Sequence, residues 1–208
     1  MLFRSELDFP SALRERVALL KGLPIEALGR VYAERVRLNP GARVLVHTMR
    51  AHGAHTLLVS GGFTYFTSRV ADDAGFDEHQ GNRLLDDGRT LTGLVGEPIL
   101  GREAKLRALT EARTQMKLAP EETVAIGDGA NDLDMIKKAG LGIAYHAKPV
   151  VAAAAGAILD LVTSKISSGA SAAFQPSTLG SDYPLLPALA TRPTASYLNV
   201  AQLGGTRA

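Results

Sequence analysis

The stretch Thr123-Val-Ala-Ile-Gly-Asp-Gly-Ala-Asn-Asp-Leu-Asp-Met135 constrains the chain most. An apolar, β-branched run with no polar face stops abruptly at Asp128, a pattern that predicts a central strand of a parallel sheet covered on both sides. Gly127 and Gly129 let the backbone turn sharply, and Asn131 or Asp132 can cap the helix that continues through Met135 and Ile136. Two carboxylates and an amide therefore gather at the carboxyl end of a strand and the amino end of a helix. Open α/β sheets bind ligands at that place, and oxygen donors of this kind suit a hard cation such as Mg2+. A plain turn rich in capping residues has the same composition, so the stretch needs partners elsewhere to define a site.

The rest of the chain supplies the alternation that a parallel sheet requires. Residues 1–38 read as helix throughout, with Asp8 as a cap, Pro10 in a first turn and Leu13, Val17 and Leu20 at helical spacing. Ile25, Leu28, Val31, Tyr32 and Val36 mark a second helix, which makes this segment a candidate part of a separate helical cap. From Asn39 the rhythm changes. A helix starts near Pro40 with Val44, Leu45 and Met49 as its inward stripe, and Thr56 to Ser60 then reads as a buried strand followed by a helix over 63–74. Apolar stretches on either side of Asp87-Gly88 predict a β-hairpin near 83–95, and Arg102 to Met116 is helical in period. Gly140 to Tyr145 gives a further strand and Pro149 to Ala155 a further helix. The expected fold is α/β, a doubly wound, mostly parallel Rossmann-like sheet over residues 39–162, with part of a small helical cap.

Composition narrows the class. The 208 residues are 46% hydrophobic, which is enough for a sizeable core and excludes a chain disordered throughout. The net charge is +2 and the basic residues are scattered, so nucleic acid is not an expected partner. No apolar run is long enough to span a membrane and no cysteine is present, which leaves a reducing cytoplasm as the default location. Residues 163–208 are rich in Ser, Thr, Gly, Ala and Pro without sustained periodicity, and disorder is expected there.

Two further stretches fall at positions comparable with the opening one. Ser60-Gly61-Gly62 offers a hydroxyl and backbone N–H groups at a helix amino terminus, the elements of an anion cradle. Lys105 lies in the first turns of the helix after Pro98-Ile-Leu-Gly101, where the helix dipole does not favour a cation, although most such lysines are solvated. Hydroxyl, lysine and carboxylates together describe a site for a phosphate with Mg2+. The five histidines share no metal-ligand spacing, and Asp134 reads as a solvated side chain.

The order Val59-Ser-Gly-Gly-Phe63, Lys105, Gly127-Asp-Gly-Ala-Asn-Asp132 and Ala147-Lys-Pro149 resembles the phosphoserine phosphatases of the haloacid dehalogenase-like superfamily, over roughly residues 6–158. Leu7-Asp-Phe9 with Leu13-Arg-Glu-Arg-Val17 is similar to the cap region of the same family. The resemblance implies Mg2+-dependent hydrolysis of O-phosphoserine through an aspartyl-phosphate, the last step of serine biosynthesis. It implies that Ser60, Gly61 and Asn131 hold the phosphate, Lys105 neutralises the aspartyl-phosphate, Asp128 binds Mg2+ and Asp132 supports the metal shell. It further implies that Arg16 binds the substrate carboxylate and Phe9 helps close the cap. The family's first motif, Asp-x-Asp-x-Thr, does not occur before Asp8, and Asp8 is not a substitute because it sits in the cap match ahead of Pro10. A core without its first strand, lacking the nucleophile and the acid/base aspartate, is therefore expected, with little activity and a tendency to form homo-oligomers.

Overall fold

The computed structural model describes residues 9–147 and 149–158. The expected cap at Asp8, Lys148 of the Ala147-Lys-Pro149 match and the tail over 163–208 lie outside the described residues.

Helix α1 (Phe9–Ala18) begins with Pro10 in its first turn, where a missing N–H is harmless, and buries Leu13 and Val17. In α2 (Glu26–Arg35) the inward face runs through Leu28 and Tyr32, continued by Val36 just past its end, and Val31 falls on its margin, 43% exposed, against the expected stripe. The stripe expected for α3 (Ala42–Ala51) is also displaced. Ala42 and Val46, four apart, point inward, so Val44 two positions on points away and is 62% exposed.

Strand β1 (Leu57–Phe63) leads into α4 (Thr64–Ala74), and β2 (Glu78–Asn82) returns parallel to β1. β2 has no strand signature in its sequence, Glu-His-Gln-Gly-Asn, and was not expected. It flanks β1 and carries its first side chains in solvent, so it needs no apolar alternation. Strands β3 (Leu84–Asp86) and β4 (Leu91–Val95) pair antiparallel around Asp87-Gly88, where Gly88 takes the left-handed conformation (φ +89°) that the turn demands. Helix α5 (Arg102–Gln115) then precedes β5 (Val124–Gly127), α6 (Leu133–Lys138), β6 (Leu141–Ala144), α7 (Pro149–Ala152) and β7 (Ala157–Ile158). β5, β6 and β7 form a parallel sheet in that order.

Alternate residues of β1 and β5 feed two apolar layers. Leu58, Val124 and Ile126 pack with Val46 of α3 and Val70, Ala71 and Ala74 of α4. Leu57, Val59 and Ala125 pack on the other side with Ala108 and Leu109 of α5 and Met135 of α6. Helices therefore cover both faces of parallel strands, the doubly wound α/β architecture expected. Each fully buried branched side chain in these layers contributes about 1.5–3 kcal/mol. No ladder joins β1 to β5 among the described residues, although the two strands share both layers.

A third cluster joins Leu13 and Val17 of α1, Leu28 of α2 and Phe66 of α4 to Leu84 and Leu91 of the hairpin. The chain between α1 and α2 also bonds to the hairpin, through Gly22 N–H to Leu91 O and Leu91 N–H to Leu23 O. The first two helices and the hairpin thus stand together over one end of α4.

Candidate functional site

The carboxyl end of β1 departs from its ladder at Ser60. Leu57, Leu58 and Val59 pair in step with Glu78, His79 and Gln80, but the next pair is Phe63 with Asn82. Ser60, Gly61 and Gly62 are therefore bulged out of regular pairing, directly before α4. Ser60 is buried, and its Oγ accepts the Gly62 N–H at 3.0 Å, so that amide is not the unoccupied donor the sequence implied. The ring of Phe9 lies over the turn. A Cβ built on Gly61 would sit 3.4 Å from its Cζ, and one built on Gly101 would sit 3.4 Å from its Cδ1. Phe9 is nonetheless 45% exposed, lying as a cover rather than as core.

The carboxyl end of β5 is built around Asp132. Its carboxylate is fully buried, with Oδ2 accepting the N–H groups of Gly129 (3.1 Å) and Asp128 (3.3 Å) and Oδ1 facing Lys105 Nζ at 2.6 Å. Asp132 does not cap α6 with its side chain, as the sequence allowed, because it turns back on its own loop. That turn explains Gly127, on which a Cβ would lie 2.8 Å from Asp132 Oδ2 and closer still to Asp132 Cβ. It also fits Gly129, where Asn131 Oδ1 occupies the space of a Cβ. Asp128 is half-buried at the strand end and Asn131 is exposed.

Lys105 departs from its ordinary setting. It is 5% exposed on the inner side of α5, held there by the ion pair with Asp132. Next to it, Arg102 at the start of α5 forms a two-pronged bond with Asp134 (2.7 Å each), so Asp134 is paired and not simply solvated. The hydrogen bond from Arg102, and then its charge, holds the Asp134 carboxyl below its usual range.

One buried side chain links the end of β1 to the segment that leads into α5. Asn82, with no exposed surface, donates from Nδ2 to Gly61 O (2.8 Å) and Leu100 O (3.2 Å) and accepts the Leu100 N–H (2.7 Å). No sequence signal points to it, because Glu78-His-Gln-Gly-Asn82 carries no strand pattern. The structure thus joins Phe9, Ser60 and Gly61 to Gly101 and Asn82, and joins Lys105 to Asp132 with Asp128 and Asn131 on the same loop. Arg16 is exposed on α1, two turns beyond Phe9 and on the same side of the helix, and no contact among the described residues ties it to the others.

A bulged glycine turn at the end of one parallel strand, with a buried lysine and carboxylates at the end of another, has the groups of an α/β site that holds a charged ligand. Residues 1–137 match the haloacid dehalogenase-like hydrolases, and the chain belongs to that family. It is 47% identical over 148 residues to a phosphoserine phosphatase of Polaromonas sp., an alignment that covers 69% of this chain and 63% of that protein. The chain thus spans a little under two thirds of that relative's length. A probable phosphoserine phosphatase from Vibrio cholerae superposes with a TM-score of 0.71 at 41% identity, covering 74% of this chain and 47% of that one. A substrate-bound phosphoserine phosphatase complex superposes with a TM-score of 0.67 at 37% identity, covering 74% and 72%. No helix among the described residues is long and apolar enough to cross a membrane.

Proposed function

We propose that this chain carries the phosphate-handling part of a phosphoserine phosphatase, which hydrolyses O-phosphoserine to serine and phosphate in the cytoplasm as the last step of serine biosynthesis. The observation that carries this is the buried Lys105–Asp132 pair, its lysine on the helix that Asn82 ties, through Leu100, to the Ser60–Gly62 bulge, in a chain 47% identical to a phosphoserine phosphatase. A lysine kept inside the protein by a carboxylate presents its charge in a setting of low dielectric, where it counts for more than in water. Ser60 and Gly61 would seat the phosphoryl oxygens, Asn131 would touch them from the facing loop, and Phe9 would exclude water above. Arg16, with a planar fork matched to a carboxylate, would select an amino-acid phosphate over a sugar phosphate.

The donor set fits Mg2+. That ion keeps several waters and takes one or two protein carboxylates with phosphate oxygens, so Asp128 at the end of β5 is a ligand of the right type, with no cage of three or more ligating side chains needed or found among the described residues. Bound there, Mg2+ would offset phosphoryl charge. Asp132 would act on the shell around it and on Lys105.

The nucleophile in this reading is an aspartate that takes up the phosphoryl group and releases it to water. Lys105 Nζ is held against Asp132 Oδ1 and Asp132 is engaged on both oxygens, so neither serves. A strand bearing Asp-x-Asp-x-Thr would fit between β1 and β5, which share both apolar layers without a ladder between them among the described residues. The test is phosphate release from O-phosphoserine, with and without Mg2+, by the 208-residue chain and by the chain joined to such a strand. Little turnover by the first and Mg2+-dependent turnover by the second is the expected result. No gain on joining the strand would overturn the assignment, and rapid turnover by the chain alone would overturn the account of the nucleophile.

A further inference from the structure

Asn82 has a place in the fold that packing alone does not explain. Between the pairs Val59–Gln80 and Phe63–Asn82, β1 advances four residues while β2 advances two. The bulge that results strips Ser60, Gly61 and Gly62 of regular ladder partners, and a buried backbone carbonyl without a partner is costly. The Asn82 amide supplies what the ladder does not, through its bond to Gly61 O. The same amide makes a donor and an acceptor bond to Leu100, the residue before Gly101 at the head of α5. Leu100 N–H requires the oxygen on its side, which fixes the orientation of the amide. Gly81 allows the approach, since a Cβ there would lie 3.1 Å from Gly62 O and 3.2 Å from Thr64 N. One planar group, fully buried, therefore spans the bulge and the start of the helix that carries Lys105.

We propose that Asn82 is a positioning residue of the phosphate site, setting the separation between the Ser60–Gly62 bulge and the Lys105 helix through Gly61 and Leu100. This rests on the function proposed above. Asn82 itself need not touch the ligand. Aspartate at this position would keep the shape and the bond from Leu100 N–H but would set a carboxylate oxygen against the Gly61 carbonyl. Alanine would remove all three bonds.

The experiment is titration of inorganic phosphate, at fixed Mg2+, into the full chain and into Asn82→Asp and Asn82→Ala, followed by the amide NMR shifts of Gly61, Gly62 and Lys105. Asp77→Asn is the matched structural control. Asp77 Oδ2 accepts the Thr56 N–H and hydroxyl, both at 2.8 Å, and so pins β1 to the other end of β2, away from the bulge. Phosphate affinity should fall about ten-fold or more in both Asn82 variants, the loss expected when a buried polar contact at a site is unmade. Asp77→Asn should lower the melting temperature and leave phosphate affinity unchanged. If Asn82→Ala does not fold, Asn82→Asp carries the comparison. Asn82 variants that bind phosphate as the parent does, or an equal loss in Asp77→Asn, would overturn the inference alone. A parent chain whose amides do not respond to phosphate would overturn the proposed function and this inference with it.

Discussion

Replacing Lys105 by Met should destabilise the protein far more than the loss of an ordinary lysine. The side chains of Lys105 and Asp132 are 7% and 0% exposed, and their charged atoms are 2.6 Å apart. Methionine matches the lysine stem in length, so the packing of α5 against α6 is kept and the change isolates the charge. What remains is the Asp132 carboxylate, buried, with the N–H groups of Asp128 and Gly129 still directed at Oδ2 and the Lys105 charge gone from Oδ1. Removing one partner of a buried pair costs about 3–5 kcal/mol, because the other charge is left uncompensated. Against a total stability of about 5–15 kcal/mol this is a large share, and for a domain of this size it amounts to a fall in Tm of about 6–20 °C. Adding Asp132→Asn should recover much of the loss, since an amide oxygen can still accept the Gly129 N–H and no net charge stays buried. The assay is urea denaturation of the parent, both single variants and the double variant. A coupling of about 2 kcal/mol or more is expected, whereas exposed pairs give about 0.2–1 kcal/mol. A coupling within the surface range, at an unchanged dependence on urea, would refute the claim that the pair is formed inside the protein.

Other outcomes follow from neighbouring geometry. Burial pushes the Asp77 carboxyl up, but the Thr56 amide and hydroxyl and the Arg50 charge outweigh it and hold it below the usual range. A depressed folded-state value gives stability that is present above the unfolded value near 3.9 and lost as pH falls through the folded one. Asp77→Asn should therefore flatten the decline in urea midpoint below about pH 4, and an unaltered acid limb would count against this. Gly127→Ala should cost about 1–3 kcal/mol by forcing Asp132 off its loop, read from the same denaturation experiment, and a neutral result would contradict the packing described. In the strand-joined enzyme, Arg16→Ala should raise KM for phosphoserine about ten-fold or more while affecting a simple phosphate ester much less. Equal effects on both substrates would remove Arg16 from carboxylate recognition.

The α/β alternation and the crowded strand end at Asp128 were readable because they depend on local pattern. Thr123 to Ile126 has no polar face, and only a strand covered on both sides suits it. Helix faces were less secure. In α3 three apolar residues in a row, Val44, Leu45 and Val46, fit two stripes equally well, and contact with α4 and β1 selects the one through Val46. Lys105 shows a different limit. Local rules place a lysine in solvent, and its burial depends on Asp132, which is 27 residues away in sequence. Its place in the first turns of a helix, against the dipole, was a weak local signal, and the resemblance to a family gave it a role.

β2 was missed for a reason that bears on the site itself. A strand beside a buried neighbour can be polar if its ladder is satisfied, so Glu78-His-Gln-Gly-Asn82 carries no apolar period for a sequence reading to detect. Its residues answer instead to β1. Gly81 yields space to Gly62 and Thr64, and Asn82 bonds to the carbonyl that the bulge exposes. A bulge of this kind is stable only if something outside the strand completes its hydrogen bonds. The polar character that hid β2 is therefore what allows β1 to break its pairing at Ser60 and present the turn below Phe9. An apolar residue at position 82 would strengthen the strand signal and leave the Gly61 carbonyl without its partner.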